Sequence, residues 1–382
     1  MHTMSALANT IQRFSPGPST RKTGLIGLEF SLEQLHLVQM ETGPDGGIAL
    51  RACASVPLSG ERDEIMASPK QVKSLVREAR KQGDFQGNRV VASMPSNKTR
   101  IVSVAYQVSS GQADAEAILR LRADRLEGNL ADYVIDYLPV RANPKAHERL
   151  AIVAVSKRDD VIEYLELLRY AGLTVDSLEI GPAAIRRLIG AMSEPGKIEN
   201  VLVVNFGRTV SYLTIISKSR LLFDQEISYG ENRILELIAS NLEVSVESAY
   251  ELVYTHGLSP DSQKPAAQSG GADDISVVDT LREIVKPAFL QLVAEINRAL
   301  IYAASQTHGE SVSRIFLLGG IARWVGADRF LQELIELPVQ IIPNPLQAFP
   351  ARRGAKTEVD AQSVPEIAVA AGLALRGMTD RD

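Results

Sequence analysis

Three short segments of this sequence carry backbone and side chains of the kinds that hold a phosphate or a nucleotide. The first is Gly27-Leu28-Glu29-Phe30-Ser31-Leu32-Glu33-Gln34, the second Asn205-Phe206-Gly207-Arg208-Thr209-Val210-Ser211, and the third Leu318-Gly319-Gly320-Ile321-Ala322. A phosphate needs exposed backbone N–H groups, which a tight hairpin turn supplies where a residue such as glycine lets the chain bend closely. Gly27, Ser31 and Gln34 are candidates for this in the first segment, and Asn205, Gly207 and Thr209 in the second. A carboxylate at the end of the preceding strand can position a magnesium ion through its waters, which singles out Glu29. A Gly-Gly pair between a strand and a helix lets an adenosine approach the backbone, and Gly319, Gly320 and Ile321 stand at such a junction. Glu231 and Asn232 open a predicted helix, where they either cap it or face the ribose or base of a nucleotide.

Composition narrows what else the chain could do. Its 382 residues are 45% hydrophobic and 23% charged, enough for a substantial core and for two or three domain-sized units. The formal net charge of −5 argues against a broad nucleic-acid surface. No apolar run approaches the ~18 residues a membrane span needs; the run over residues 201–216 is interrupted by Asn205, Gly207 and Arg208. The first twenty residues lack the continuous apolar stretch of a secretory signal. Cys53 stands alone, which excludes an intrachain disulfide and a thiolate zinc cluster. The five histidines, His2, His36, His147, His256 and His308, are scattered. A reducing compartment and no structural metal are expected.

The elements that must position the three segments follow from periodicity and turn residues. Strands are predicted over 24–30, 35–40 and 48–56, then a helix opened by Ser68-Pro69 with Val72, Leu75, Val76 and Ala79 on one face, then a strand over 89–94. The same order recurs later: strands over 201–205, 210–216 and 221–227, then a helix with Ile234, Leu235 and Ile238 as its apolar face. Two related halves are therefore expected. Between them, strands at 101–108, 133–140 and 150–156 and helices at 112–126 and 159–170 read as a small α+β unit. A long helix is predicted over 287–304, a strand over 314–318, and helices around 327–335 and 365–376. Residues 1–23 form a leader without Asp or Glu, in which Met4, Leu7, Ile11 and Phe14 are spaced as in a short amphipathic helix. A free tail, a docking segment and a targeting peptide all fit it.

The run Ile315-Phe316-Leu317-Leu318-Gly319-Gly320-Ile321-Ala322-Arg323, with Leu221-Leu222-Phe223, residues 226–232 and Ile341-Ile342-Pro343-Asn344-Pro345, resembles the type IV pilus assembly protein PilM family, relatives of the division protein FtsA. The likeness extends over residues 24–376. It implies an α/β, actin/Hsp70-like ATPase fold of two duplicated halves with an inserted small α+β subdomain. The first half would comprise 24–98 and 172–198, the insertion 99–171, and the second half 199–376 with a flexible loop at 259–274. It also implies a cytoplasmic scaffold, peripheral to the inner membrane, which grips the N-terminal tail of a PilN-type inner-membrane partner. The cleft between the first half and the insertion is the expected place for that tail. Association with the membrane is then indirect and no nucleic acid is involved, while self-association stands open. So does the cofactor, ATP with Mg2+ or none.

The resemblance has departures at the cleft. Glu29 stands where the family has Asp, Ser31 where it has Gly, and Asn205 where Asp is usual. A left-handed Ser31 would cost about 1 kcal/mol. Glu33 brings a negative charge towards any phosphate, worth about 4 kcal/mol of repulsion at ~4 Å and an effective dielectric near 20. Asn205 cannot act as a base or an anionic metal partner. At most a weak ATPase is expected, with no catalytic residue assigned. Two alternatives are an ATP-dependent phosphotransferase of the sugar-kinase branch and an FtsA-like filament-forming division scaffold. Against the first, no catalytic base or sugar-binding cluster is visible, and Asp132 and Asp136 fall in the insertion. Against the second, no membrane-targeting tail follows the last predicted helix.

Overall fold

The computed structural model describes residues 22–43, 47–107, 114–123, 129–141, 148–193, 199–218, 220–259, 272–306, 309–351 and 366–378. The leader up to residue 21 and residues 260–271 of the expected loop lie outside the described residues. The chain opens with β1 (Thr23–Phe30), β2 (Gln34–Thr42), β3 (Ile48–Pro57), α1 (Arg62–Met66), α2 (Pro69–Gln82) and β4 (Arg89–Ser93). The inserted unit contributes β5 (Thr99–Gln107), α3 (Asp114–Ala123), β6 (Tyr133–Arg141), β7 (Glu148–Lys157) and α4 (Arg158–Tyr170). β8 (Thr174–Glu179) and α5 (Gly181–Met192) follow. The second half runs through β9 (Asn200–Phe206), β10 (Ser211–Ser217), β11 (Arg220–Ile227), α6 (Glu231–Leu242), α7 (Val246–His256), α8 (Ala272–Gln306), β12 (Arg314–Gly319), α9 (Ala327–Leu334), β13 (Val339–Ile341), α10 (Pro345–Ala348) and α11 (Ala368–Ala374).

The two large sheets have the same topology. One is ordered β3-β2-β1-β4-β8 and the other β11-β10-β9-β12-β13. In each, the first two strands form an antiparallel hairpin, and the first strand then pairs in parallel with one that arrives much later in sequence. This places the two hairpin turns, β1–β2 and β9–β10, at equivalent ends of equivalent strands. β1 and β9 are central, so their side chains are covered on both faces and their runs are nearly continuously apolar.

Between the sheets lie α5 and α11. Val38, Met40 and Val91 of the first sheet, Val201, Val203, Phe316 and Leu318 of the second, and Ala184, Leu188, Ala371 and Leu373 of the helices form one buried cluster. The small residues of α11 permit close approach: a Cβ on Gly27 would lie 2.1 Å from the Ala370 carbonyl, and one on Gly372 would lie 2.0 Å from that of Ala184. The last helix of the chain thus packs on its first strand. The insertion forms a three-stranded sheet, β5-β7-β6, and its Val140, Leu150 and Ile152 join the core of the second half.

The largest departure from the predicted helix bounds is at α8. α8 starts at Ala272 and runs through Pro287, rather than starting there. Proline inside a helix removes a hydrogen bond at a cost of ~3 kcal/mol. The apolar period continues upstream, however, and Val278, Leu281 and Val285 are buried together with Ala288, Phe289 and Leu292. That burial, at ~1.5–3 kcal/mol for each large side chain, outweighs the missing bond.

Candidate functional site

The three segments singled out by their chemistry meet at one cavity of about 380 Å³. Its walls come from the β1–β2 turn, the β9–β10 turn, the Gly319-Gly320 junction after β12, the end of β4, the start of β5, and the start of α5. Glu29, Ser31, Asn205, Gly207, Glu231, Gly319 and Gly320 line it. Gly27, Gln34, Thr209, Asn232 and Ile321 do not. Gly27 lies within β1 against α11, and Ile321 is fully buried in the second-half core.

The β1–β2 turn satisfies itself. The Ser31 amide donates to the Gln34 carbonyl at 2.9 Å. The amides of Glu33 and Gln34 donate to the Ser31 hydroxyl at 3.4 and 3.1 Å. Ser31 avoids the left-handed region, since Lys218 and Glu243 are the non-glycine residues with positive φ among those described. The anticipated strain at Ser31 therefore does not arise. A side chain whose hydroxyl accepts from following amides lets serine close a turn without glycine.

The Gly319-Gly320 junction has different demands. Gly319 has φ +76°, and a Cβ there would sit 2.1 Å from the Phe206 carbonyl, so only glycine fits. A Cβ on Gly320 would meet the Glu231 carboxylate at 2.6 Å. That carboxylate belongs to the first residue of α6 and is buried. It accepts from Trp324 Nε1 at 3.0 Å and lies 3.6 Å from Arg323. Its own amide donates to the Gly207 carbonyl at 3.0 Å. Glu231 thereby ties α6 to both the second turn and the Gly-Gly junction.

Charge in the cavity centres on arginine. Arg323 is 6% exposed and lies 2.9 Å from Glu33 and 3.6 Å from Glu366. Arg208 reaches Glu33 at 2.8 Å from the β9–β10 turn. Burial would raise the Glu33 carboxyl, but these two guanidiniums outweigh it and hold it below the ordinary carboxylate value. Glu231 is raised, mainly by burial. Glu29 is pushed up to about 8 by burial and by Glu366, opposed by Arg62 and the Ala370 backbone. Its Oε2 is shut off from solvent and has no hydrogen-bond partner. At the far side, buried Asp224 accepts from the Thr214 hydroxyl at 2.5 Å and is raised to about 7 by burial.

The residues present do not fit a magnesium nucleotide in this arrangement. Burial pushes the Glu29 carboxyl towards its neutral form, which weakens its hold on a magnesium ion's waters. The amides of Ser31, Glu33, Gln34 and Gly207 are engaged, and a carboxylate sits between the arginines. No group of three or more His, Cys, Asp or Glu poised for a metal occurs among the described residues. Residues that sequence reasoning did not single out are Arg323 and Glu366. Glu366 lies beyond the Pro-Asn-Pro segment with no motif around it, and only folding of the C-terminal segment brings it here.

The family described as "Type IV pilus assembly protein PilM" matches residues 27–268 and 272–378. This chain belongs to that family. Among solved structures, a protein of the "PilM-PilN type IV pilus biogenesis complex" is 23% identical with a TM-score of 0.70, covering 93% of this chain and 99% of that one. The ethanolamine utilization protein EutJ from Carboxydothermus hydrogenoformans is 14% identical with a TM-score of 0.51, over 94% and 91% of the two chains. A diol dehydratase-reactivating factor in nucleotide-free form is 10% identical, also at 0.51, over 93% and 99%. The fold is the actin-like ATPase fold, with two duplicated halves and an inserted α+β unit, and Trp324, 1% exposed, is a packing residue within it. Among the described residues, no helix is long and apolar enough to cross a membrane.

Proposed function

We propose that this PilM-family chain is a scaffold of type IV pilus assembly that holds the N-terminal tail of a PilN-type inner-membrane partner and through it associates with the membrane. The observation that carries this reading is the family match over nearly the whole chain, residues 27–268 and 272–378. The likeness to a protein from a PilM–PilN complex supports the class of partner. The cleft supports a structural role over catalysis. Burial pushes Glu29 towards its neutral form, Asn205 is uncharged and the Glu33 carboxylate is held by two arginines, so ATP with Mg2+ would at most be a weakly held ligand. We place the tail between the first half and the insertion, where the end of β4 and the start of β5 both line the cavity.

A fluorescent peptide copying the cytoplasmic N-terminus of the cognate membrane partner tests this. It should bind the purified full chain without nucleotide, with little change on adding ATP and magnesium. A folded protein that does not bind the peptide, with or without nucleotide, removes the scaffold reading.

A further inference from the structure

The Glu33 carboxylate is fully engaged. One oxygen accepts from Arg208 Nε at 2.9 Å and lies 2.8 Å from its Nη2. The other accepts from Arg323 Nη1 at 2.9 Å. Glu33 belongs to the first half, while both arginines belong to the second, 175 and 290 positions away in sequence. The contact therefore staples one half to the other across the cleft. Glu33, Arg208 and Arg323 all line the 380 Å³ cavity, so the anchor faces space that a free ligand can enter.

Two guanidiniums converging on one pair of oxygens are a general oxyanion receptor. Their forked N–H groups suit phosphate at least as well as carboxylate. Arg323 is held in place from behind by Glu231 and Glu366, each 3.6 Å away. These two acids oppose any added anion, so the receptor depends on both arginines being free. In the folded chain they are not, because the tethered Glu33 fills the position.

The geometry points to Glu33 as the chain's own occupant of a phosphate-class oxyanion site formed by Arg208 and Arg323, which closes the cleft without a ligand. A free oxyanion must displace a carboxylate attached to the same molecule, whose effective concentration is in the millimolar range or above. The departures from a nucleotide site then have one explanation. The internal anion stands in for the external one, and the turn amides, no longer needed, close on Ser31. Glu33 lines the same cavity at which the partner tail is placed, but the oxyanion site needs only Arg208 and Arg323 and does not rest on that placement.

Calorimetric titration of the full chain with metal-free tripolyphosphate provides the test, on wild type, Glu33→Gln and Glu33→Gln/Arg208→Gln. Glu33→Gln should bind tripolyphosphate at least tenfold more tightly than wild type, and the double variant should lose most of that gain. Tripolyphosphate should also raise the melting temperature of Glu33→Gln but not of wild type. Binding by Glu33→Gln that is no tighter than wild type, including no binding by either at millimolar ligand, overturns the inference. So does a gain that survives Arg208→Gln. Circular dichroism confirms folding of each variant, and Glu33→Ala replaces Glu33→Gln if the amide disturbs the turn. Binding of the partner peptide, read on the same samples, separates failure of this inference from failure of the scaffold reading.

Discussion

Replacing Arg323 by methionine removes a guanidinium in contact with three carboxylates at once. The gross attraction follows from the distances. At an effective dielectric near 20, the Glu33 contact at 2.9 Å contributes about 6 kcal/mol. The contacts to Glu231 and Glu366 at 3.6 Å contribute about 5 kcal/mol each. Desolvation of an arginine that is 6% exposed, and of the acids around it, offsets most of that sum. Removing one member of a buried ion cluster costs about 3–5 kcal/mol, because the remaining charges stay buried without compensation. Arg323→Met should lose that amount at pH 8, measured as the difference in unfolding free energy from urea melts. The pH dependence identifies the cause. Without Arg323 the main charge that lowers the Glu33 and Glu231 carboxyls is gone, so both rise in the folded state and the folded variant takes up protons that its unfolded chain does not. The deficit relative to wild type must therefore shrink as pH falls from 8 to 5. A loss below about 1 kcal/mol at pH 8, or a deficit that grows towards pH 5, would show that the cluster is not held by charge and refute the reasoning.

Two more outcomes follow from the geometry. Glu29 at about 8 and Asp224 at about 7 both lie above their unfolded values, so the folded chain holds more protons than the unfolded one between about pH 5 and 7. Stability should fall across that window as pH rises, by at most about 1.4 kcal/mol per pH unit for each group; Glu29→Gln should flatten the decline, and an identical slope in the two proteins would show that Glu29 is ionised in the fold. Gly27→Ala sets a Cβ 2.1 Å from the Ala370 carbonyl and 2.6 Å from the Ala374 amide, backbone atoms that cannot rotate away. Forcing α11 off β1 should cost about 1–3 kcal/mol, read as a lower denaturant midpoint, and an unchanged midpoint would mean that the two elements are not in contact.

The sequence by itself determined the repeated half, because its signals are local. Alternating and continuous apolar runs, the β1–β2 and β9–β10 turns, and the helix starts at Pro69 and Glu231 are each written within a few residues. It also exposed the unusual chemistry of the cleft, since Glu29, Ser31, Glu33 and Asn205 are visible as residue types at turns. The polar run of β8 (TVDSLE) gave no strand signal, and its pairing with β4 depends on a neighbour far away in sequence. The early start of α8 was hidden by Pro287, because propensity ranks that residue as a helix start and only burial of Val278, Leu281 and Val285 outweighs it. Above all, tertiary structure decided what Glu33 does. Read along the chain it is a charge that repels phosphate. In the fold, turns far apart in sequence bring Arg208 and Arg323 to it, and the same carboxylate becomes the contact that joins the two halves. Pairwise electrostatics depends on distance in space, and no periodicity or motif within one segment records which charge from another segment will stand 3 Å away.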